Sequence, residues 1–388
     1  MVNTPEELGS WLRLLLTPGV GPETARRLLA AFGQPEAIFR QTESALRQIV
    51  SAQQAQALGQ APDGWASLND DTWQWLQTDT TTDMGRAVIT LGDADYPASL
   101  LDIPDPPLML YALGQTAQLQ ALKAEQALAM VGSRNPTPQG AANARDFAHN
   151  LAASGLTIVS GLALGIDGAA HEGALLGAAT GRLSTIAVVG TGLDRVYPKS
   201  HRALAHQIAL RGLILSEYPL GTPPLAPNFP RRNRLISGLS QATLVVEAAL
   251  QSGSLITAKQ ALEQGRDVMA IPGSIHSAQA KGCHLLIKQG AKLVESAQDV
   301  LEELKLPVEQ TQGNLALKST TTDDDPASSR KPEDVLLRAM GHDPVSLDAL
   351  QARCGWPTAQ LQAGLLELEL MGQVGRLPGG LFQRIGSA

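Results

Sequence analysis

The 388-residue sequence predicts a doubly wound α/β sheet set between a small helical head and a compact helical tail. Three observations carry that expectation. Short β-branched runs recur through the middle of the chain, helical stretches separate them, and both charge and apolar spacing change character before residue 108 and after residue 306. At this length two or three domains are expected, and 44% apolar residues suffice to fill their cores.

The head comes first. ELGSWLRLLLTPGVGPETARRLLAAFG has helical apolar spacing on both sides of a Pro-Gly break. Within it, Pro18 to Ala25 (PGVGPETA) has the Gly-apolar-Gly form of a helix-hairpin-helix, whose turn amides and second helix N-terminus can meet a phosphate. Residues 1–107 carry 14 Asp/Glu against 6 Lys/Arg, however. Carboxylates at that density repel the same phosphate, so a structural helix pair is favoured over a DNA contact.

From about residue 108 come ALAMVGS, LTIVSG, TIAVVGTG, LILSEYP, ATLVVEA, DVMAIPG and AKLVES. Each run is short and ends in Gly, Ser or Pro, as buried parallel strands do. Helices fit between them, among them GAANARDFAHNLAASG and GSLITAKQALEQG, the second stopped by Gly265. Such alternation implies a doubly wound sheet. Although the whole chain has a formal net charge of -7, residues 108–307 hold 17 bases against 13 acids and form its only basic part.

Past residue 306 the polar STTTDDDPASSRKP has no periodicity to bury and reads as a linker. SLDALQARCGWPTAQLQAGLLELELMG then gives two helices with Ser346 and Thr358 as N-caps, and QVGRLPGGLFQRI gives a hairpin about a Pro-Gly-Gly turn. Together they resemble a winged helix. Its second helix offers Gln360, Gln362, Glu367 and Glu369 but no Lys or Arg, so protein contact or packing is expected there in preference to duplex reading. The domains expected are residues 1–85, 86–306 and 332–388, with 307–331 as linker.

In an open parallel sheet the ligand crevice lies beyond the carboxyl ends of the strands. The chain places Gly132-Ser133-Arg134, Ser160-Gly161, Gly190-Thr191-Gly192 and Ser252-Gly253-Ser254 at or near such ends. Glycine permits close backbone approach, free amides and helix dipoles favour anions, and hydroxyls add donors. A dinucleotide site is excluded because MVGSRNPTPQG and GTGLDR both lack GxGxxG, and no Walker A motif is present. In NFPRRNRLISGLS, Pro230 is expected to hold Arg231, Arg232 and Arg234 on an edge loop, where guanidinium forks suit phosphates and Phe229 can stack on a base. Lys199 and His201 in YPKSH and Arg134 extend the basic track. This is what a sequence-tolerant single-strand groove requires.

Other residues read more plainly. Asp167 and His171 stand four apart on one helix, and with no third ligand or nucleophile in sight, capping and a structural hydrogen bond are favoured over an acid-base or metal role. Glu247 can orient a ligand hydroxyl or bond loop amides. His276, Cys283 and His284 lack metal spacing, so no metal, cofactor or catalytic residue is expected. Two distant cysteines without a CxxC partner suit a reducing, cytoplasmic setting. Neither a signal peptide nor a membrane span is evident.

The ordered series MVGSRNPT, VSGLALGIDGAAHEGAL, IAVVGTGLDRVYPKSH, SEYPLGTPP, NFPRRNRLISGLS, VVEAALQSGSLITAKQALEQGRDVMAIPGS and GCHLLIKQGAKLV closely resembles the DprA (Smf) family of bacterial transformation, over roughly residues 90–300. The resemblance implies a Rossmann-like domain that binds single-stranded DNA, a homodimer formed through that domain, loading of the RecA recombinase, a sterile-alpha-motif-like head and no enzymatic activity. It assigns phosphate contacts to Gly132, Ser133, Arg134, Ser160, Gly161 and Lys199, and places Phe229, Arg231, Arg232 and Asn233 near the strand. Where many members have Lys in GLAKGID, this chain has Leu164, so that one phosphate contact is either missing or supplied by a neighbour such as Arg182. The alternative is a nucleotide-processing enzyme of the related phosphoribohydrolase (LOG-like) fold, although SGSLITAKQ lacks both the double glycine and the acid of that group's signature. An adaptor that binds only protein is a third reading.

Overall fold

The computed structural model describes residues 2–78, 84–306, 332–341 and 344–385. The linker expected at 307–331 lies outside the described residues. Six helices build the head: α1 (Pro5–Leu16), α2 (Pro22–Phe32), α3 (Pro35–Phe39), α4 (Glu43–Leu46), α5 (Ala52–Leu58) and α6 (Trp65–Gln77). Four of them begin on chemistry visible in the sequence, with proline in the first turn of α1, α2 and α3 and the Ser51–Gln54 capping box on α5. PGVGPETA forms the α1–α2 turn, where Gly19 O accepts from Gln54 Nε2 at 2.7 Å.

The centre is a nine-stranded sheet in the order β1-β2-β6-β5-β4-β3-β7-β8-β9. Its strands are β1 (Gly85–Thr90), β2 (Met109–Gly114), β3 (Ala127–Val131), β4 (Thr157–Ser160), β5 (Thr185–Val188), β6 (Leu213–Ser216), β7 (Ala242–Val245), β8 (Asp267–Ala270) and β9 (Lys292–Leu293). From β6 to β9 neighbours run parallel, while β1–β2 and β2–β6 are antiparallel. All seven expected runs become strands. The β1–β2 hairpin is the addition, and its sequence is silent because both faces are buried: Ala87, Ile89, Leu110 and Ala112 join the sheet core while Val88, Met109 and Tyr111 join Leu8, Trp11 and Leu28 of the head. No polar alternation survives to betray it.

Helices cover both faces: α7 (Pro138–Ala153), α8 (Ile166–Gly177), α9 (Arg202–Arg211), α10 (Asn228–Gly238), α11 (Ser254–Glu263), α12 (Lys281–Lys288) and α13 (Ala297–Glu303). Gly265, with φ +69°, ends the α11 stretch as expected. NFPRRNR is a helix and not the expected edge loop. Pro230 is compatible because it sits in the first turn of α10, where its missing N–H has no intrahelical partner to lose. The tail is α14 (Pro332–Met340), β10 (Val345–Ser346), α15 (Leu347–Cys354), α16 (Thr358–Leu370), β11 (Val374–Leu377) and β12 (Leu381–Arg384), a winged-helix arrangement with sheet order β10-β12-β11. Ser346 caps α15 through a bond from Ala349 N, but Thr358 is already inside α16, whose N-cap is Pro357.

An ion network ties the head to the sheet domain. Arg234 of α10 lays both guanidinium nitrogens on Glu217 at 3.1 and 2.6 Å, with the two side chains 10% and 8% exposed. Asp105 adds a contact to Arg234 at 3.4 Å and bonds Arg26 of the head at 2.6 Å. Removing one partner strands a buried charge, so Arg234→Ala should destabilise the chain by about 3–5 kcal/mol, with Arg234→Lys intermediate. Urea unfolding of the three proteins checks this.

Candidate nucleic-acid interface

Strand order dictates where a ligand can sit. From β3 the chain winds through β4 and β5 to β6 on one side, then returns to lay β7, β8 and β9 on the other. The connections therefore diverge at the carboxyl ends of β3 and β7, and a crevice opens between them. A cleft of about 500 Å³ lies there, lined by Gly132, Ser133 and Arg134 after β3, by Ser252, Gly253 and Ser254 before α11, and by Phe229, Arg232 and Asn233 of α10. A smaller pocket of about 100 Å³ adjoins it, lined by Gly161, Gly190, Thr191 and Tyr197 and sharing Arg134, Phe229 and Arg232 with the cleft.

Backbone bonds shape the rim. Ser133 N donates to Glu247 O at 2.7 Å, and Ser133 Oγ accepts from Asn135 N at 3.1 Å. Glu247 accepts from Thr137 N at 3.1 Å and from the Thr137 hydroxyl at 3.0 Å, which fixes the start of α7 against the end of β7. Of the two roles open to Glu247, the loop-amide one is the one present. Burial raises its carboxyl pKa. On the other wall α11 begins after Gly253, whose turn is closed by its own bonds: Ser254 N lies 3.4 Å from Ser252 Oγ, and Leu255 N and Ile256 N donate to Ser252 O and Gly253 O at 3.1 Å, with Ser252, Gly253 and Ser254 lining the cleft.

Arg232 is the pivot. It is 4% exposed, and its Nη1 donates to the carbonyls of Gly161 and Val188 at the ends of β4 and β5. Burial draws its pKa down to about 10, against the pull of Asp167. Asp167 in turn accepts from Ala163 N at 3.2 Å, and burial raises its pKa while Arg232 opposes the rise. Asp167 does not cap α8, whose N-cap Gly165 has no side-chain bond, whereas His171 makes the expected kind of hydrogen bond: its Nδ1 meets Thr185 Oγ1 at 2.7 Å and the ring is wholly buried.

Aromatics and one cation lie at the mouth. Phe229 is half-buried, with the Arg134 guanidinium 5.9 Å from its ring centroid and Tyr197 at 5.6 Å on a 38° tilt. Tyr197 is 48% exposed, and the sequence reading passed over it although it lies two residues before Lys199.

Several expected positions stand elsewhere. Ser160 is fully buried and turns its hydroxyl onto Met130 O at 2.6 Å. Arg234 is taken up by Glu217 and Asp105, and exposed Arg231 leans toward Asp105 at 3.9 Å. Lys199 is exposed beside the Tyr197-Pro198 wall of the smaller pocket. Arg182 cannot replace the lysine missing at Leu164, because it bonds Gly155 O at 3.1 Å ahead of β4, at the opposite end of that strand. Asn135, Gln251, Thr257 and Gln279 line the cleft without having been singled out. Cys283 is buried, with its thiol pKa raised to about 11 by burial, and His284 bonds Gly273 O at 2.9 Å.

Comparison with known proteins bears on this geometry. The DNA recombination-mediator protein A family matches residues 87–305, the DprA winged helix domain matches 320–380, and a SAM-like helix-hairpin-helix tandem matches 12–58. Protein Smf of Synechocystis is 37% identical across 97% of this chain and 99% of its own length, and Protein Smf of Escherichia coli is 44% identical across 74% of each. The X-ray structure of DNA processing protein A from Streptococcus pneumoniae superposes with a TM-score of 0.64 at 36% identity, covering 78% of this chain and 99% of that one. DNA processing protein A from Helicobacter pylori, whose structure concerns its single-stranded DNA binding mode, gives a TM-score of 0.50 at 32% identity over 56% of this chain and 95% of its own.

Two outcomes follow from the packing around Arg232. A Cβ on residue 161 would lie 2.6 Å from Asp167 Oδ2 and inside contact of Arg232 Nη1. Gly161→Ala should therefore lower the melting temperature and displace α10, costing about 1–3 kcal/mol; calorimetry reads it. His171, held near pKa 3 by burial with His201 and Arg232 adding to the effect, refuses a proton that the unfolded chain takes up below about pH 6.5. Stability should consequently fall as pH drops from about 6.5 toward 3, and the difference between wild type and His171→Gln in urea unfolding at several pH values isolates that loss.

Proposed function

The chain belongs to the DNA recombination-mediator protein A (DprA/Smf) family, and from that premise we propose that it binds single-stranded DNA without reading its bases and hands the strand to RecA. The observation that carries the reading is the convergence of Arg134, the Ser252-Gly253-Ser254 turn before α11 and Phe229 on one cleft at the sheet's switch point. Amides and guanidinium hold phosphate oxygens, which are alike at every step of a strand. Aromatic faces accept any base, so grip comes without sequence preference.

Support for a binding role over catalysis lies in the carboxylates. Asp167 is held by Ala163 N beside Arg232, and Glu247 is held by Thr137. Neither is free to act as the acid or base that a phosphoribohydrolase would need. Single-stranded DNA, RecA and a second copy of the chain are the proposed partners, in the cytoplasm. No helix among the described residues is long and apolar enough to cross a membrane, and both cysteines are free.

Anisotropy of labelled oligothymidine over a sodium chloride series tests the reading. Affinity should fall with salt, and Arg134→Ala should weaken binding while reducing the logarithmic salt slope by roughly one. Phe229→Ala should cost about 1–3 kcal/mol with the slope unchanged. Salt-independent binding, or release of free base from nucleoside monophosphates, would overturn the reading.

A further inference from the structure

We propose that the outward face of α16 is a docking site for a basic amphipathic helix of a partner protein. α16 is apolar on both sides. Leu361, Leu365 and Leu368 are buried in the winged-helix core, whereas Leu366, Leu370 and Met371 are 52%, 83% and 56% exposed. A second apolar stripe on the solvent side of a helix, opposite the one its own core covers and flanked here by Gln360, Gln362 and Glu367, marks a contact surface. The winged-helix unit covers one side of α16.

The exposed side also has a rhythm. Ala359, Ala363, Leu366 and Leu370, all exposed, follow one another at spacings of four, three and four. That is the a/d spacing at which one helix receives the side chains of another. The smaller residues stand toward the N-terminal end and the leucines toward the C-terminal end, so the deepest contact is expected over the last two turns.

Charge selects the occupant. α16 has no Lys or Arg, and Glu367 and Glu369 lie near its C-terminus, where the negative end of the helix dipole disfavours carboxylates. Glu369 meets Arg376 at 3.3 Å, while exposed Glu367 has no ion-pair partner among the described residues. Phosphates of a duplex laid along this face would meet like charge. A second copy of α16 would add apolar surface but no cation for Glu367. A helix carrying leucine-like residues flanked by Lys or Arg supplies both what the stripe and what the carboxylate lack.

The full chain is titrated by anisotropy with two labelled model helices of equal length and heptad pattern, one Leu/Lys and one Leu/Glu, and with a short mixed-sequence DNA duplex. The Leu/Lys helix should bind and the Leu/Glu helix should not. Leu366→Ser combined with Leu370→Ser should weaken that binding about a hundredfold, roughly tenfold for each leucine. Both positions are exposed, and an unchanged circular-dichroism melt verifies the fold. Glu367→Lys should reverse the preference between the two helices. Equal binding of the Leu/Lys helix by wild type and the double variant would overturn the proposal, since attraction would then be general to an acidic chain. Duplex binding lost in the double variant would make α16 a DNA reader, and dilution-sensitive self-association lost in that variant would make its occupant a second copy; either result overturns it too.

Discussion

One buried guanidinium sets the geometry of the cleft. Arg232 reaches out of α10 to carbonyls at the ends of two neighbouring strands and lies beside Asp167 of α8. A charge taken out of water is tolerated only where hydrogen bonds and an opposite charge replace the lost hydration. Those partners come from three separate elements, so the side chain acts as a bolt. Phe229 and Asn233 ride on the same helix, one turn or less away, and inherit their place at the cleft from it. Had Arg232 been free to meet a phosphate, the first turn of α10 would have lost this anchor.

Around that bolt, the topology supplies the rest. Where connections diverge at β3 and β7, helix starts and loop amides must face one another across the crevice. Glu247 and Thr137 fix one bank, and the Ser252-Gly253-Ser254 turn before α11 forms the other. The head contributes from behind: Arg26 and Asp105 join Arg234, so the segment carrying Asp105 is wedged between the helical head and α10.

Much of this was legible in the chain. Six strands, β3 to β8, are legible because strands largely buried on both faces read as continuous apolar runs, while the seventh, β9, is a two-residue exposed edge strand legible from its place in the alternation; the turns after β3 and before α11 are legible from glycine and serine at strand and helix ends. The β1–β2 hairpin was hidden for the same physical reason that betrayed the others, since it too is buried on both faces, but it sits next to a helical domain where apolar residues are already expected. Helix α10 is not legible as a helix from NFPRRNR, because Pro230 suits an edge loop and a helix's first turn equally well, and only the structure shows it in the latter. The division of labour among the three arginines was invisible: sequence spacing cannot tell that Arg232 turns inward, Arg234 meets Glu217 and Arg231 leans on Asp105. Such roles depend on partners seventeen to 126 positions away in the chain.

Those displaced arginines change how the site has to work. Of the cations expected along the track, Arg134 alone lines both pockets with an exposed side chain, for Arg232 is sealed beneath them and Arg231 has a carboxylate at 3.9 Å. Leu164, 45% exposed, puts an apolar side chain on the wall of the smaller pocket, and Arg182 is bonded at the other end of β4. In the proposed reading, a site short of free charge takes more of its hold on a strand from fixed dipoles and from stacking. Helix-terminal amides keep their orientation whatever the salt, and the Phe229–Tyr197 pair gains from apolar contact that salt does not screen. Basicity concentrated in the middle of the chain is therefore not all available to a ligand: Arg232 and Arg234 are spent on holding α10 beside the cleft.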